Sequence, residues 1–275
     1  RRDVLTRTGA LDELHEQYPA ADVEALAPAT LSKRIAALWL QQGYVELAPL
    51  TAEQLATAGA PAIVGLEVYV APVPGRKYVV GVDPAEGNPT SDDSAATVLD
   101  KVTGEEVAKL RGKFQPSTLG AHVDAVGQWF NGAAVLVERN NHGHAVLLWL
   151  KDHSRLKRLA GWDGREGWLS SSKGKSLLYD EGADAFRDGV TLLHSFDTFT
   201  QLASIDGNTL RAPEGQLDDL ADSYVLALAA SHRKPPAMKS GQVDWDKPPK
   251  RRGPPAPAER TQAEIERLLA EAEND

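Results

Sequence analysis

Two short apolar runs in this chain each end in a single acid. They are Tyr78-Val79-Val80-Gly81-Val82-Asp83 and Ala134-Val135-Leu136-Val137-Glu138. Short runs rich in Val read as strands. The second is almost wholly apolar, as a central strand covered on both faces would be. A carboxylate at the tip of a buried strand is costly unless its charge is compensated. A third acidic motif, Asp218-Asp219-Leu220-Ala221-Asp222, opens an apolar helix-like segment. Three such groups brought together repel, and the usual remedy is a divalent cation with oxygen ligands. The pattern predicts a metal-dependent phosphoryl-transfer site.

At 275 residues the chain can hold one sizeable domain with extra segments, or two small ones. A hydrophobic fraction of 42% is enough for a core. No stretch is apolar and long enough to cross a bilayer, and no signal-peptide pattern opens the chain. Cysteine is absent, which excludes disulfides, thiolate metal sites and a Cys nucleophile. The net charge of −9 argues against a nonspecific nucleic-acid binder. A nuclease can still be acidic if metal neutralises its catalytic acids and its cations cluster. Two clusters exist, Lys151 to Arg158 and Lys247 to Arg252.

Residues 1–75 read as a linker and helical appendage. Ala29 to Gln42 has helical spacing, Thr51 is a candidate N-cap, and Val64 to Val70 is a candidate strand. Residues 76–233 read as the main domain. Tyr78–Val82, Ser94–Leu99 and Glu105–Leu110 form an expected antiparallel meander, with a hairpin turn at Lys101–Gly104. Helices are expected at Thr118–Phe130, Gly143–Leu156, Ser176–Asp188 and Leu217–His232, with strands at Ala133–Val137 and Val190–Leu193. The order indicates an α/β fold with a mixed sheet flanked by helices. Residues 234–275 read as a Pro-rich, basic tail with a short amphipathic helix, Thr261 to Ala272.

Each acid has an ordinary reading when taken singly. Asp83 can cap a turn, Glu138 can pair with Arg139, and Asp219 and Asp222 can favour a helix N-terminus. Asp219 and Asp222 are spaced i, i+3, while Asp218 and Asp222 are spaced i, i+4. Spacing alone does not choose between Asp218 and Asp219. Finding all three motifs in this order, on these element types, is much harder to ascribe to chance. Lys173 and Lys175 lie in a Ser- and Gly-rich stretch that reads as a loop, either contacting a phosphodiester or simply solvated. His142 and His144 follow the second acid and read as surface or capping residues.

The motifs together resemble the nuclease domain of the large terminase subunit of tailed bacteriophages, a ribonuclease H-like endonuclease. The pieces that carry the resemblance are Val80-Gly81-Val82-Asp83-Pro84-Ala85-Glu86-Gly87 with Ser91–Ala95, Val137-Glu138-Arg139-Asn140-Asn141 with Gly143, Gly167–Ser170 with Lys173 and Lys175, and Leu217–Ser223. Glu16-Gln17-Tyr18-Pro19-Ala20 resembles the stretch that joins the motor to the nuclease, so the resemblance spans roughly Asp12 to His232. One departure is large. Lys173-Gly174-Lys175-Ser176 has Leu169 where a Walker A loop needs its first Gly. The chain also starts without Met, which fits a C-terminal piece lacking the ATPase motor, and ATP hydrolysis is not expected of it.

The resemblance implies a two-metal endonuclease that cuts double-stranded DNA during viral genome packaging, in the cytoplasm of the infected host. It implies Mg²⁺ or Mn²⁺, two ions, as the cofactor, since all the ligands are hard oxygens. Asp83 would bridge both ions, Glu138 would bind one and Asp219 the other. Asp222 would complete the second site or act through other groups. Asp93 is a candidate to hold a metal-bound water, and Lys173, Lys175 and Arg139 are candidate DNA contacts. The portal protein and the small terminase subunit are the implied partners, with no membrane. The rival readings are another ribonuclease H-like nuclease, of the junction-resolvase or transposase type, and a non-catalytic ribonuclease H-like scaffold.

Overall fold

A computed structural model describes residues 33–233. The candidate helix at Thr261–Ala272, the Lys247–Arg252 cluster, the stretch Glu16–Ala20 and the first part of the helix expected from Ala29 lie outside the described residues. Within them the strands are β1 (Leu66–Val68), β2 (Tyr78–Asp83), β3 (Ser94–Asp100), β4 (Glu106–Gly112) and β5 (Ala134–Val137). The helices are α1 (Ala37–Gln42), α2 (Ala52–Thr57), α3 (Pro116–Trp129), α4 (Gly143–His153), α5 (Ser172–Arg187), α6 (Phe196–Ser204) and α7 (Asp219–His232).

The five strands form one sheet in the order β1-β4-β3-β2-β5. β2, β3 and β4 form the expected meander, and β1 adds antiparallel to β4. β5 runs parallel to β2, so the sheet is mixed. Parallel pairing needs a long crossover, and α3 supplies it. The two apolar runs thus lie side by side, with β2 inside the sheet.

Helices cover both faces. Tyr78, Val80 and Val82 of β2 pack with Leu119, Val123 and Val126 of α3 and Val146 and Leu150 of α4. Val79, on the opposite parity, packs in a second core with α7, α5 and α6. Each core draws on alternate residues of the same strands, so β2 reads as continuously apolar rather than alternating. Ile35 and Leu40 join the α7-side core, and the hydroxyl of Thr51 caps α2 in a reciprocal box with Gln54.

Several element bounds differ from expectation. Ser154 ends α4 early, because its hydroxyl accepts the Leu156 N–H and turns the chain. Val190–Leu193 is not a strand; Leu192 and Leu193 make only isolated bridges to Glu105 and Tyr44. α6 was not anticipated. Its Phe196, Phe199, Leu202 and Ala203 do fall at helical spacing, and Ser195 caps it by accepting the Thr198 N–H at 3.1 Å. Finally, α5 starts at Ser172, four residues earlier than Ser176.

Candidate active site

Strand alternation decides where the first two acids point. Asp83 shares parity with Val79 and Gly81, so it emerges on the α7 face of the sheet. Along β5, Leu136 packs on the α7 side while Val135 and Val137 pack on the other. Glu138 shares parity with Leu136. Val82 lies opposite Val137, and the Glu138 N–H donates to the Val82 carbonyl at 2.8 Å. Asp83 and Glu138 therefore end neighbouring parallel strands at one level and on one face.

The third motif arrives because α7 sits unusually close to β2. A Cβ at Gly81 would lie 2.2 Å from both the Ser223 carbonyl oxygen and the Ala227 nitrogen. Only glycine permits that backbone contact. Across β3, Thr97 Oγ1 and Ser223 Oγ are 2.9 Å apart and fully buried. Seated this way, the first turn of α7 brings Asp219 and Asp222 to the end of the sheet that carries Asp83. Gln201 of α6 secures that turn: its Oε1 accepts the N–H groups of Leu220 at 2.8 Å and Ala221 at 3.2 Å. These are two of the donors that a helix start leaves without intrahelical partners. Glu106 of β4 in turn holds the start of α6, accepting the His194 and Ser195 N–H groups at 2.8 Å each.

The electrostatics reflect crowding. The Asp83 carboxyl is held well above the usual range, first by burial, then by Glu138 within hydrogen-bonding reach, then by Asp222 and Asp219. Burial, with Asp218, Asp92 and Asp93 adding to it, pushes Asp219 up to about 7. Asp219 Oδ2 is buried and has no hydrogen-bond partner. Burial pushes Asp222 to about 6, although Lys175 opposes it. Both Asp222 oxygens are engaged: Tyr179 donates to Oδ1 at 2.6 Å and Lys175 to Oδ2 at 2.8 Å.

The donor set suits a hard divalent cation. It is all carboxylate oxygen, it carries more negative charge than its neighbours compensate, and one oxygen is orphaned. Among the described residues, no three acid or imidazole groups converge on one coordination point. Asp83 approaches Glu138 instead, while Asp222 is turned to Lys175 and Tyr179 of α5.

The cations of the sequence reading occupy three different environments. Lys173 and Lys175 are not in a loop but in the first turn of α5, because Ser171 caps it by accepting the Gly174 N–H at 3.2 Å. Lys173 is exposed and lies 4.9 Å over the Trp162 ring. Lys175 is turned inward to Asp222. Arg139 is buried, with a two-pronged pair to Asp163. That pair joins the Glu138 segment to the loop carrying Trp162. Asn140 does the same from the next position, exchanging hydrogen bonds with the Ser170 backbone at 3.0 and 3.2 Å. Asp93 does not present free oxygens for a water; Arg111 takes one at 2.8 Å and Lys113 the other at 3.0 Å. Sequence reasoning missed Gln201 and Tyr179. For Tyr179 a signal existed, since it follows Lys175 at i, i+4 on one helical face.

Neither a protein-family model nor a curated protein sequence matches this chain. Solved structures do. The large terminase nuclease from thermophilic phage G20c with bound magnesium aligns over 72% of this chain and 97% of its own, with a TM-score of 0.54 and 18% identity. The same nuclease with bound cobalt gives a TM-score of 0.55 at the same identity and coverage. The Thermus phage P74-26 large terminase nuclease domain aligns over 69% and 91%, with a TM-score of 0.50 and 19% identity. These likenesses establish the fold: a ribonuclease H-like α/β domain of the kind found in terminase nucleases.

Proposed function

We propose that this chain is the nuclease part of a terminase large subunit, an endonuclease that cuts double-stranded DNA during viral genome packaging with the help of divalent metal. The observation that carries this reading is the gathering of Asp83, Glu138, Asp219 and Asp222, from three separate elements, at one end of a sheet that has the terminase nuclease fold. The structures of the G20c nuclease with magnesium and with cobalt support a divalent ion in such a fold.

Asp83, Glu138 and Asp219 are the residues proposed to hold the metal, two Mg²⁺ or Mn²⁺ ions. When bound, such ions act as Lewis acids on the attacking and leaving oxygens of a phosphodiester. The protein's own part is positional. β2 and β5 fix Asp83 and Glu138 side by side, and the first turn of α7 carries Asp219 to the same end of the sheet. Asp219, with its orphaned oxygen, is better placed as a ligand than Asp222, whose oxygens Lys175 and Tyr179 already occupy. Of Lys173, Lys175 and Arg139, Lys173 is the exposed one and is the proposed phosphate contact. Binding through phosphates would be insensitive to sequence and would weaken steeply with salt.

Action on packaging DNA also implies a portal protein and a small terminase subunit as partners, in the host cytoplasm. Among the described residues no helix is long and apolar enough to cross a membrane. The test is cleavage of linear duplex, supercoiled plasmid and a four-way junction with Mn²⁺, Mg²⁺ or EDTA. Metal-dependent cutting of both duplex forms supports the reading. Cutting confined to the junction would favour a resolvase, and no cutting of any substrate would overturn the nuclease assignment.

A further inference from the structure

We propose that Lys175 is the built-in counter-ion of the acid cluster, holding Asp222 in place and allowing the carboxylates to stand together when no divalent cation is bound. The nuclease reading enters only as the source of the cation whose charge Lys175 partly replaces.

The geometry is that of a prepared ion pair. Lys175 Nζ lies 2.8 Å from Asp222 Oδ2 and 3.8 Å from Asp218 Oδ2, with the two side chains of the closer pair only 19% and 15% exposed. Tyr179, one turn further along α5, donates to the other Asp222 oxygen at 2.6 Å, and its ring lies 5.9 Å from Lys175 Nζ. Lysine and tyrosine thus grip one carboxylate from a single helical face. Arg111, whose charge also reaches Asp219, is already paired with Asp93, as is Lys113.

A surface phosphate contact would look different. Lys173, two residues earlier, shows that alternative: it is exposed and rests over an indole. The start of α5 is also built to hold Lys175 where it is. Ser171 caps it, and Trp168 Nε1 donates to the Gly174 carbonyl at 3.2 Å from a fully buried position. Lys175 is therefore a positioning residue that acts through Asp222, and a metal entering the cluster would find Asp222 already compensated.

The test is thermal unfolding of the full chain in EDTA and in excess Mn²⁺, near neutral pH, for wild type, Lys175→Met, Lys175→Arg and Lys173→Met. In EDTA, Lys175→Met should lower Tm by roughly 5 °C or more, while Lys175→Arg and Lys173→Met stay near wild type. Mn²⁺ should raise the Tm of Lys175→Met by more than it raises that of wild type. If Lys175→Met does not accumulate as a folded protein, adding Asp222→Asn should recover it, because the second change removes the uncompensated charge. An unchanged Tm for Lys175→Met in EDTA would overturn the proposal. So would a loss that Mn²⁺ and Asp222→Asn both leave untouched, which would mark a packing residue. A wild type whose Tm ignores Mn²⁺ would count against the nuclease reading, whereas the Met and Arg variants in EDTA would still decide the counter-ion.

Discussion

Gln201 accepts the backbone N–H of Leu220 at 2.8 Å, so α6 caps the helix that carries the third acidic motif. Asp219, the neighbour of Leu220, is held at the strand ends by a side chain eighteen residues upstream and on another helix. Replacing Gln201 with Leu leaves two buried N–H groups without an acceptor. We expect a loss of about 1–3 kcal/mol, read by urea unfolding. On the proposed nuclease reading, cleavage should fall by about tenfold or more at temperatures where the variant is folded, because small displacements of reacting groups are expensive. Unchanged stability and cleavage would show that Gln201 does not position α7.

Gly81 makes a second demand on the same helix. Its missing Cβ would meet backbone atoms of α7 at 2.2 Å, and backbone cannot rotate away as a side chain can. Gly81→Ala should therefore cost at least the 1–3 kcal/mol typical of overpacking. An alanine variant as stable as wild type would mean that α7 can slide without penalty.

The acids predict an inverted pH dependence in the metal-free protein. Asp219 is pushed to about 7 and Asp222 to about 6, in both cases first by burial. Folded values above the ordinary carboxylate value mean that the native state binds more protons than the unfolded chain between about pH 4 and pH 7. Their penalty is absent below that window and complete above it, so their effect is to reduce stability as pH rises. Asp163, held low by Arg139, acts oppositely but at lower pH, and His122, whose pKa burial lowers, opposes the trend near its own range. In EDTA, wild type minus Asp219→Asn isolates the term: the difference should shift against wild type from about pH 5 to about pH 8. A difference that stays flat would contradict the burial of an uncompensated Asp219.

Arg139 and Lys173 should separate structure from DNA contact. Arg139→Lys keeps the charge but loses the planar fork that grips Asp163, and should destabilise by about 1–3 kcal/mol. Lys173→Met should leave stability alone and flatten the salt dependence of DNA binding by about one unit of slope. The reverse assignment of effects would contradict the environments described above.

Much of the fold was legible in the sequence, and for identifiable reasons. Tyr78–Asp83 and Ala134–Glu138 are apolar on both parities, which marks strands with helices on each side. The apolar content of α7, and the placing of acids at its start, marked the third element. What remained hidden depended on contacts distant in sequence. The helical spacing of Phe196, Phe199, Leu202 and Ala203 behind Ser195 was a readable signal for α6, but nothing local shows that its Gln201 reaches the start of α7. The Ser and Gly content of 170–176 read as a loop, because a cap at Ser171 and an indole donating to Gly174 leave little trace in composition. The inward turn of Lys175 and the pairing of Arg139 with Asp163 likewise follow from tertiary neighbours. Spacing left Asp218 and Asp219 equivalent. The structure distinguishes them, since Asp219 is buried with an orphaned oxygen while Asp218 faces Lys175 at 3.8 Å.

The central claim is that the acids of β2, β5 and α7 together form a divalent-metal site. Calorimetric titration of Mn²⁺ into wild type, Asp83→Asn and Asp219→Asn tests it most directly. The account predicts saturable binding to wild type, weakened by tenfold or more in both variants, with the metal-free fold retained by circular dichroism. Binding to wild type that neither substitution weakens, or no binding at all, would contradict it.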